Sequence, residues 1–203
     1  MTGVQTCALP IYGNQWVTEV DGLRRDAQTT AYATPTNGKL IWGAKVTQEF
    51  RVKVREICAK LGFDPNWLMA VMAFETGYSF SAQAKNKNSS ATGLIQFLEK
   101  TATSLGTTTT ALASMTEVEQ LDYVYKYYQQ YASQIKNIGD CYLAVLSPAF
   151  MGKNDSTVMW AYPSAEYNAN SGLDVNHDGT ITRGEAITPV LNAIKRGLSF
   201  VDK

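Results

Sequence analysis

Residues 67–74 read WLMAVMAF, apolar without interruption, and the next residue is Glu75. Eight apolar side chains in a row leave a helix no polar face, so this helix has to be enclosed on all sides by the rest of the chain. Asp64 followed by Pro65 supplies an N-cap and a first-turn proline, so the helix starts there, and Gly77 ends it. A polar stretch follows, and a second apolar knot, GLIQF at 93–97; from 76 to 98 there is no Asp or Glu. The chain therefore has to fold around a buried helix that ends in a single carboxylate facing a loop. Burial at such a position disfavours the anion and lifts the pKa from ~4.3 toward ~6 or more. A proton is then available for donation near neutral pH. On physical grounds alone, a solvent-facing glutamate on the last helical turn stands beside that reading.

The chain has 203 residues and 45% hydrophobic content, enough for one main domain. Its 18 basic residues balance 18 acidic ones with no basic run, so no nucleic-acid or anionic-membrane partner is expected. No apolar stretch reaches the ~18 residues of a bilayer span, and no membrane insertion is expected. The single histidine, His177, argues against zinc hydrolases built on several histidines and against a Cys-His amidase. Cys58 and Cys141 sit among apolar residues and lack CxxC spacing. A disulfide between them stays open, but their placement favours free buried thiols.

Residues 1–11, MTGVQTCALPI, resemble a translated sequencing-adapter oligonucleotide and are set aside from fold reasoning, Cys7 with them. Residues 12–43 are polar, with turn signals at Pro35 and Asn37-Gly38. They read as a linker, the tail of an upstream module, or an arm packed through Trp16, Leu40, Ile41 and Trp42; a partly ordered arm is favoured. From residue 44 to 203 a single domain is expected. Val46, Phe50, Val54, Ile57, Cys58 and Leu61 form a helical stripe stopped by Gly62. Residues 95–105 predict a helix closed by Gly106, and 107–110 a turn. Thr116 with Glu119 forms a capping box that opens a helix to about Ile135. Asp140 is expected to cap a short helix, 141–146, halted by Pro148. Residues 156–167 are ambiguous. No convincing strand alternation occurs, so the class is mainly α.

The most specific pattern lies at 174–185, DVNHDGTITRGE. It fits the twelve-position, EF-hand-like calcium loop, with ligands from the side chains of Asp174, Asn176, Asp178 and Glu185 and the carbonyl of Thr180. A hard cation takes about seven oxygens at ~2.3–2.6 Å, and this spacing wraps them around one point. Thr182 would act through water, Gly179 takes the sharp turn, Ile181 points inward and His177 outward. Pro189 is expected to interrupt the exit helix, which suits a static structural calcium staple better than a sensor.

The segment AFETGYSF at 73–80, followed by SSATGLIQF at 89–97, resembles the catalytic signature of lytic transglycosylases and goose-type lysozymes. The similarity runs over about residues 40–200, including LIWGAKV and YNANSGLDVNHDGTIT, and is nearest to phage-type muramidases with a calcium loop. It implies a lysozyme-like domain, monomeric, acting on peptidoglycan glycan strands at the bond between N-acetylmuramic acid and N-acetylglucosamine. Glu75 matches the catalytic acid. Gln96 would line the sugar cleft, and Gly93 would let the backbone come close to the glutamate. Relatives carry a tyrosine over the acid in an A-Y-N motif from which this chain departs, leaving Tyr142 and Tyr167 as candidates. Both also suit a packing role.

An inverting hydrolase needs a second carboxylate ~6.5–9.5 Å from the acid. Goose-type relatives place aspartates between the acid and the glutamine block, where this chain has none. A lytic transglycosylase does without that base, so anhydro-muropeptide products are expected. Asp140, Asp155 or Glu166 approaching in three dimensions would instead support hydrolysis. A non-catalytic wall-binding or virion protein of the same fold, and a calcium-regulated interaction module, are the readings from other classes.

Overall fold

The computed structural model describes residues 38–87 and 89–203. Segment 1–11 and most of the expected arm, with Cys7 and Trp16, lie outside the described residues. Among those described, the chain is mainly α, with eight α-helices and one two-stranded sheet. In order these are α1 (Gln48–Leu61), α2 (Pro65–Glu75), α3 (Glu99–Ser104), α4 (Thr109–Ala113) and α5 (Glu117–Gln129). There follow α6 (Ile138–Leu146), β1 (Val158–Ala161), α7 (Ala165–Asn170), β2 (Thr180–Thr182) and α8 (Arg183–Gly197). None of these helices is long and apolar enough to cross a membrane.

Helix α2 is the centre of the core. Asp64 accepts a hydrogen bond from the Asn66 amide, Pro65 opens the first turn, and every residue from Leu68 to Ala73 is fully enclosed. Helices α1, α6 and α8 close around it. Burying each Leu, Met or Val side chain contributes about 1.5–3 kcal/mol, which offsets the weak preference of such a sequence for any one helical face. Helix α1 buries Phe50, Val54, Ile57, Cys58 and Leu61 of the expected stripe, while Val46 is half-buried before its cap, Thr47; Gly62 in the left-handed conformation ends it. The Thr116 capping box is formed at the start of α5.

Several expectations are corrected. Residues 95–98 are not helical: a bridge between Thr92 and Phe97 closes a tight turn with Gln96 at φ 52°, and α3 starts only at Glu99. The threonine run is not simply a turn, because Thr108 caps α4 through the Ala111 amide. Helix α5 ends at Gln129, short of Ile135. Helix α6 is capped by Asn137 rather than Asp140, which lies inside its first turn and is wholly buried. Pro189 does not interrupt α8. It forgoes one bond, to the Glu185 carbonyl, while Val190, Ala193 and Ile194 remain buried and hold the helix together.

The end of the expected arm belongs to the core. Leu40, Ile41 and Trp42 are at most 1% exposed. The Leu40 amide donates to Asp202 Oδ1 at 2.6 Å, the Ile41 amide to Asn66 Oδ1 at 2.9 Å, and Trp42 Nε1 to the Ala193 carbonyl at 2.9 Å. Arg55 reaches Asp202 Oδ2 at 2.8 Å, with Arg51 at 3.6 Å. These contacts join the start of the described chain to its end.

The ambiguous stretch 156–167 contains β1. It pairs antiparallel with β2, matching Trp160 to Ile181 and Ala161 to Thr180, with an irregularity between Val158 and Trp160. Ile181 points into the core as expected. Cys58 and Cys141 are both free and buried.

Candidate functional site

Glu75 is the last residue of α2 and is 4% exposed. Burial pushes its carboxyl up to about 8, from an ordinary 4.5. Its Oε1 is enclosed without a hydrogen-bond partner. A carboxyl group in this setting is protonated at neutral pH and is held neutral by the lack of water around it. The preceding residue, Phe74, meets the ring of Tyr142 on α6 edge-on, with centroids 5.6 Å apart.

The backbone turns sharply after Glu75. Thr76 directs this: its hydroxyl donates to the Met72 carbonyl at 2.7 Å and accepts from the Phe80 amide at 2.9 Å. Gly77, Tyr78 and Phe80 all have positive φ, of 58°, 68° and 54°. For tyrosine and phenylalanine this conformation is costly and persists only where surrounding contacts fix it. Tyr78 is stacked on Trp42 with centroids 5.1 Å apart, and the Arg196 guanidinium lies 4.2 Å from its ring. Trp42 stacks in turn on Phe200 at 5.0 Å.

The loop that follows is organised by a residue the sequence did not single out. Gln120 on α5 is wholly buried; its Oε1 accepts from the Leu94 amide at 2.6 Å, and its Nε2 donates to the carbonyls of Ala82 and Leu112 at 3.2 and 2.9 Å. Gly93 is a glycine for the same reason. It has φ 81°, and a Cβ there would stand 2.2 Å from Gln120 Oε1. Its small size thus makes room for Gln120. Gln96, expected along a sugar cleft, uses its Nε2 inside the loop, donating to the carbonyls of Ala84 and Gly93 at 3.1 and 3.0 Å. The signal for Gln120 was present as a polar residue on the buried stripe with Leu121 and Val124.

Two acids that could have served as a second carboxylate are committed elsewhere. Arg183 pairs with Asp140 at 3.0 Å and also with Asp155. Glu166 lies in the first turn of α7. Tyr167 is separated from Tyr142 in its role: its hydroxyl donates to Asp174 Oδ2 at 2.6 Å, and its ring meets that of Tyr162 edge-on.

In the 174–185 loop Asp174 is buried, and its oxygens accept from the amides of Asp178 and Gly179. Asp178 accepts from the amide and hydroxyl of Thr180 at 2.8 and 2.7 Å. Glu185 gives one oxygen, Oε2, to a capping box with Thr182, and its other, Oε1, is enclosed with no partner. His177 is exposed with φ 57°, facing outward as expected. Among the described residues no three His, Cys, Asp or Glu side chains converge as a preformed metal cluster. The donor set is nevertheless all oxygen, and the orphaned Glu185 Oε1 is a buried acceptor of the kind a hard cation takes. The residues fit calcium.

No family model, curated protein or solved structure matches this chain.

Proposed function

We propose that the chain is a muramidase on a lysozyme-like helical domain, a lytic transglycosylase that cleaves the glycosidic bond between N-acetylmuramic acid and N-acetylglucosamine. The observation that carries this reading is Glu75, a carboxyl buried at the end of the central helix with an unpartnered oxygen, which burial pushes up to about 8. Protonated Glu75 donates to the glycosidic oxygen as the bond to the muramoyl C1 breaks. The resulting carboxylate then takes the proton of the muramoyl C6 hydroxyl while O6 bonds to C1. The acid is regenerated, no water is consumed, and a 1,6-anhydro end is left. The step needs one carboxyl, and the engagement of Asp140 and Asp155 by Arg183 favours it over a two-carboxylate hydrolysis.

Muropeptides released by the wild type and by Glu75→Gln, analysed by mass spectrometry, test this. The wild type is expected to give ends one water lighter than reducing ends, and the variant none. Reducing ends would assign a hydrolytic lysozyme with the same acid. Tight wall binding without new ends would assign a non-catalytic wall or virion protein. Because Glu75 has to carry its proton, kcat/KM is expected to fall as pH rises through about 8.

Asp174, Asn176, Asp178, Glu185 and the Thr180 carbonyl would hold calcium. When bound, the ion supplies a positive charge that neutralises the loop's carboxylates. Excess calcium is expected to raise Tm and a chelator to lower it, since an ion bound only by the folded state stabilises that state. An unchanged Tm would count against the site.

A further inference from the structure

Arg183 lies two residues before Glu185 and is not a ligand candidate, yet it is 5% exposed and has partners on two separate segments, the start of α6 and residues 155–157. Its Nη2 donates to Asp140 on α6 at 3.0 Å and to Asn137, the cap of α6, at 3.4 Å; its Nη1 pairs with Asp155. The backbone is bound to the stretch that carries Asp155: the Arg183 amide donates to the Thr157 carbonyl at 2.8 Å, and the Gly184 amide to the Asp155 carbonyl at 2.9 Å. Gly139 and Gly184 allow this approach. A Cβ at Gly139 would come 2.9 Å from Arg183 Nη2, and one at Gly184 3.3 Å from Asp155. Asp140 is fully engaged, accepting also from the amides of Gly152 and Lys136.

We infer that Arg183 is a positioning residue for calcium binding, fixing the exit of the 174–185 loop so that Glu185 is aimed at the ion, and that it does so by anchoring the loop to Asp140 on α6. The inference rests on the calcium reading. Glu185 sits in the first turn of α8, so where its free oxygen points follows from where that turn is placed, and an unanchored turn would have to be ordered, at an entropic cost, when the cation binds. The planar guanidinium removes that cost in advance by locking the first residue of α8 between two acids. The same pair links the loop to the helix whose Tyr142 packs beside Glu75 through Phe74. Residues outside the ligand set that orient ligands characteristically alter metal affinity by about 10–100-fold.

Calcium titration of the full chain by calorimetry tests this with wild type, Arg183→Lys, Asp140→Asn and the double variant. Lysine keeps the charge but loses the fork, so Arg183→Lys is expected to fold, with an unchanged far-UV spectrum, and to bind calcium about tenfold more weakly. Asp140→Asn, on another helix, is expected to weaken binding to a similar degree. The double variant is expected to be no weaker than either single one, which loss of general stability would not produce. Wild-type affinity in folded Arg183→Lys, or fully additive losses in the double variant, would overturn the inference. No calcium binding by the wild type would overturn the calcium reading and the inference with it.

Discussion

At the scale of single residues, Glu75 ties stability and the proposed chemistry to the same proton. Burial pushes its carboxyl from an ordinary 4.5 up to about 8, so the folded state holds an extra proton between those values. The stabilisation is complete below pH 4.5 and is lost as pH rises through about 8. Across that window the loss is on the order of 5 kcal/mol. Glu75→Gln cannot ionise, so its urea midpoint is expected to overtake that of wild type as pH goes from 5.5 to 9; parallel profiles would show that Glu75 is not desolvated. Gly93 is a second residue-scale case. Gly93→Ala has to tolerate φ 81° and a contact with Gln120, and it is expected to lose about 1–3 kcal/mol in urea titration.

At the scale of elements, the helices that carried both a cap and an apolar period were legible. Helix α2 had Asp64-Pro65 and a continuous apolar run, and α1 had a stripe ending in Gly62, so local chemistry and burial agreed. Where one signal was missing, the reading slipped. Asp140 has the chemistry of a cap, but its carboxylate is drawn inside by Arg183, 43 residues away, and Asn137 takes the cap instead. Pro189 has the chemistry of a breaker, but the apolar face of α8 holds across it. Residues 95–98 have the composition of a helix start, yet Gln120 captures the neighbouring Leu94 amide and a turn forms instead. Gln120→Ala would leave the Leu94 amide and the Ala82 carbonyl without the partner they have here, while the Leu112 carbonyl keeps the Met115 amide. It is expected to cost about 3 kcal/mol or more in urea titration and to raise hydrogen exchange within 82–97.

At the scale of the whole molecule, the candidate acid was legible because one residue's burial follows from the run that precedes it. The contacts that fix the rest of the fold were not, because Gln120, Arg183 and Asp202 act across long separations that no local pattern encodes. Asp202 is the clearest case. Burial raises its carboxyl, but the Arg55 hydrogen bond, the Leu40 amide and the charges of Arg55 and Arg51 outweigh that and hold it below the ordinary range. Asp202→Ala leaves the Leu40 amide unpaired, and a loss of about 1–3 kcal/mol is expected from thermal or urea unfolding.

Cys58 on α1 and Cys141 on α6 are buried in two helices that both pack on α2, and burial pushes both thiols upward, Cys141 to about 12. Only a thiolate attacks an alkylating reagent at a useful rate, so neither sulfur can react in the closed protein. In a Cys7→Ser background, the rate of alkylation therefore counts how often the core around α2 opens, which makes the native thiols a clock for the breathing of the molecule.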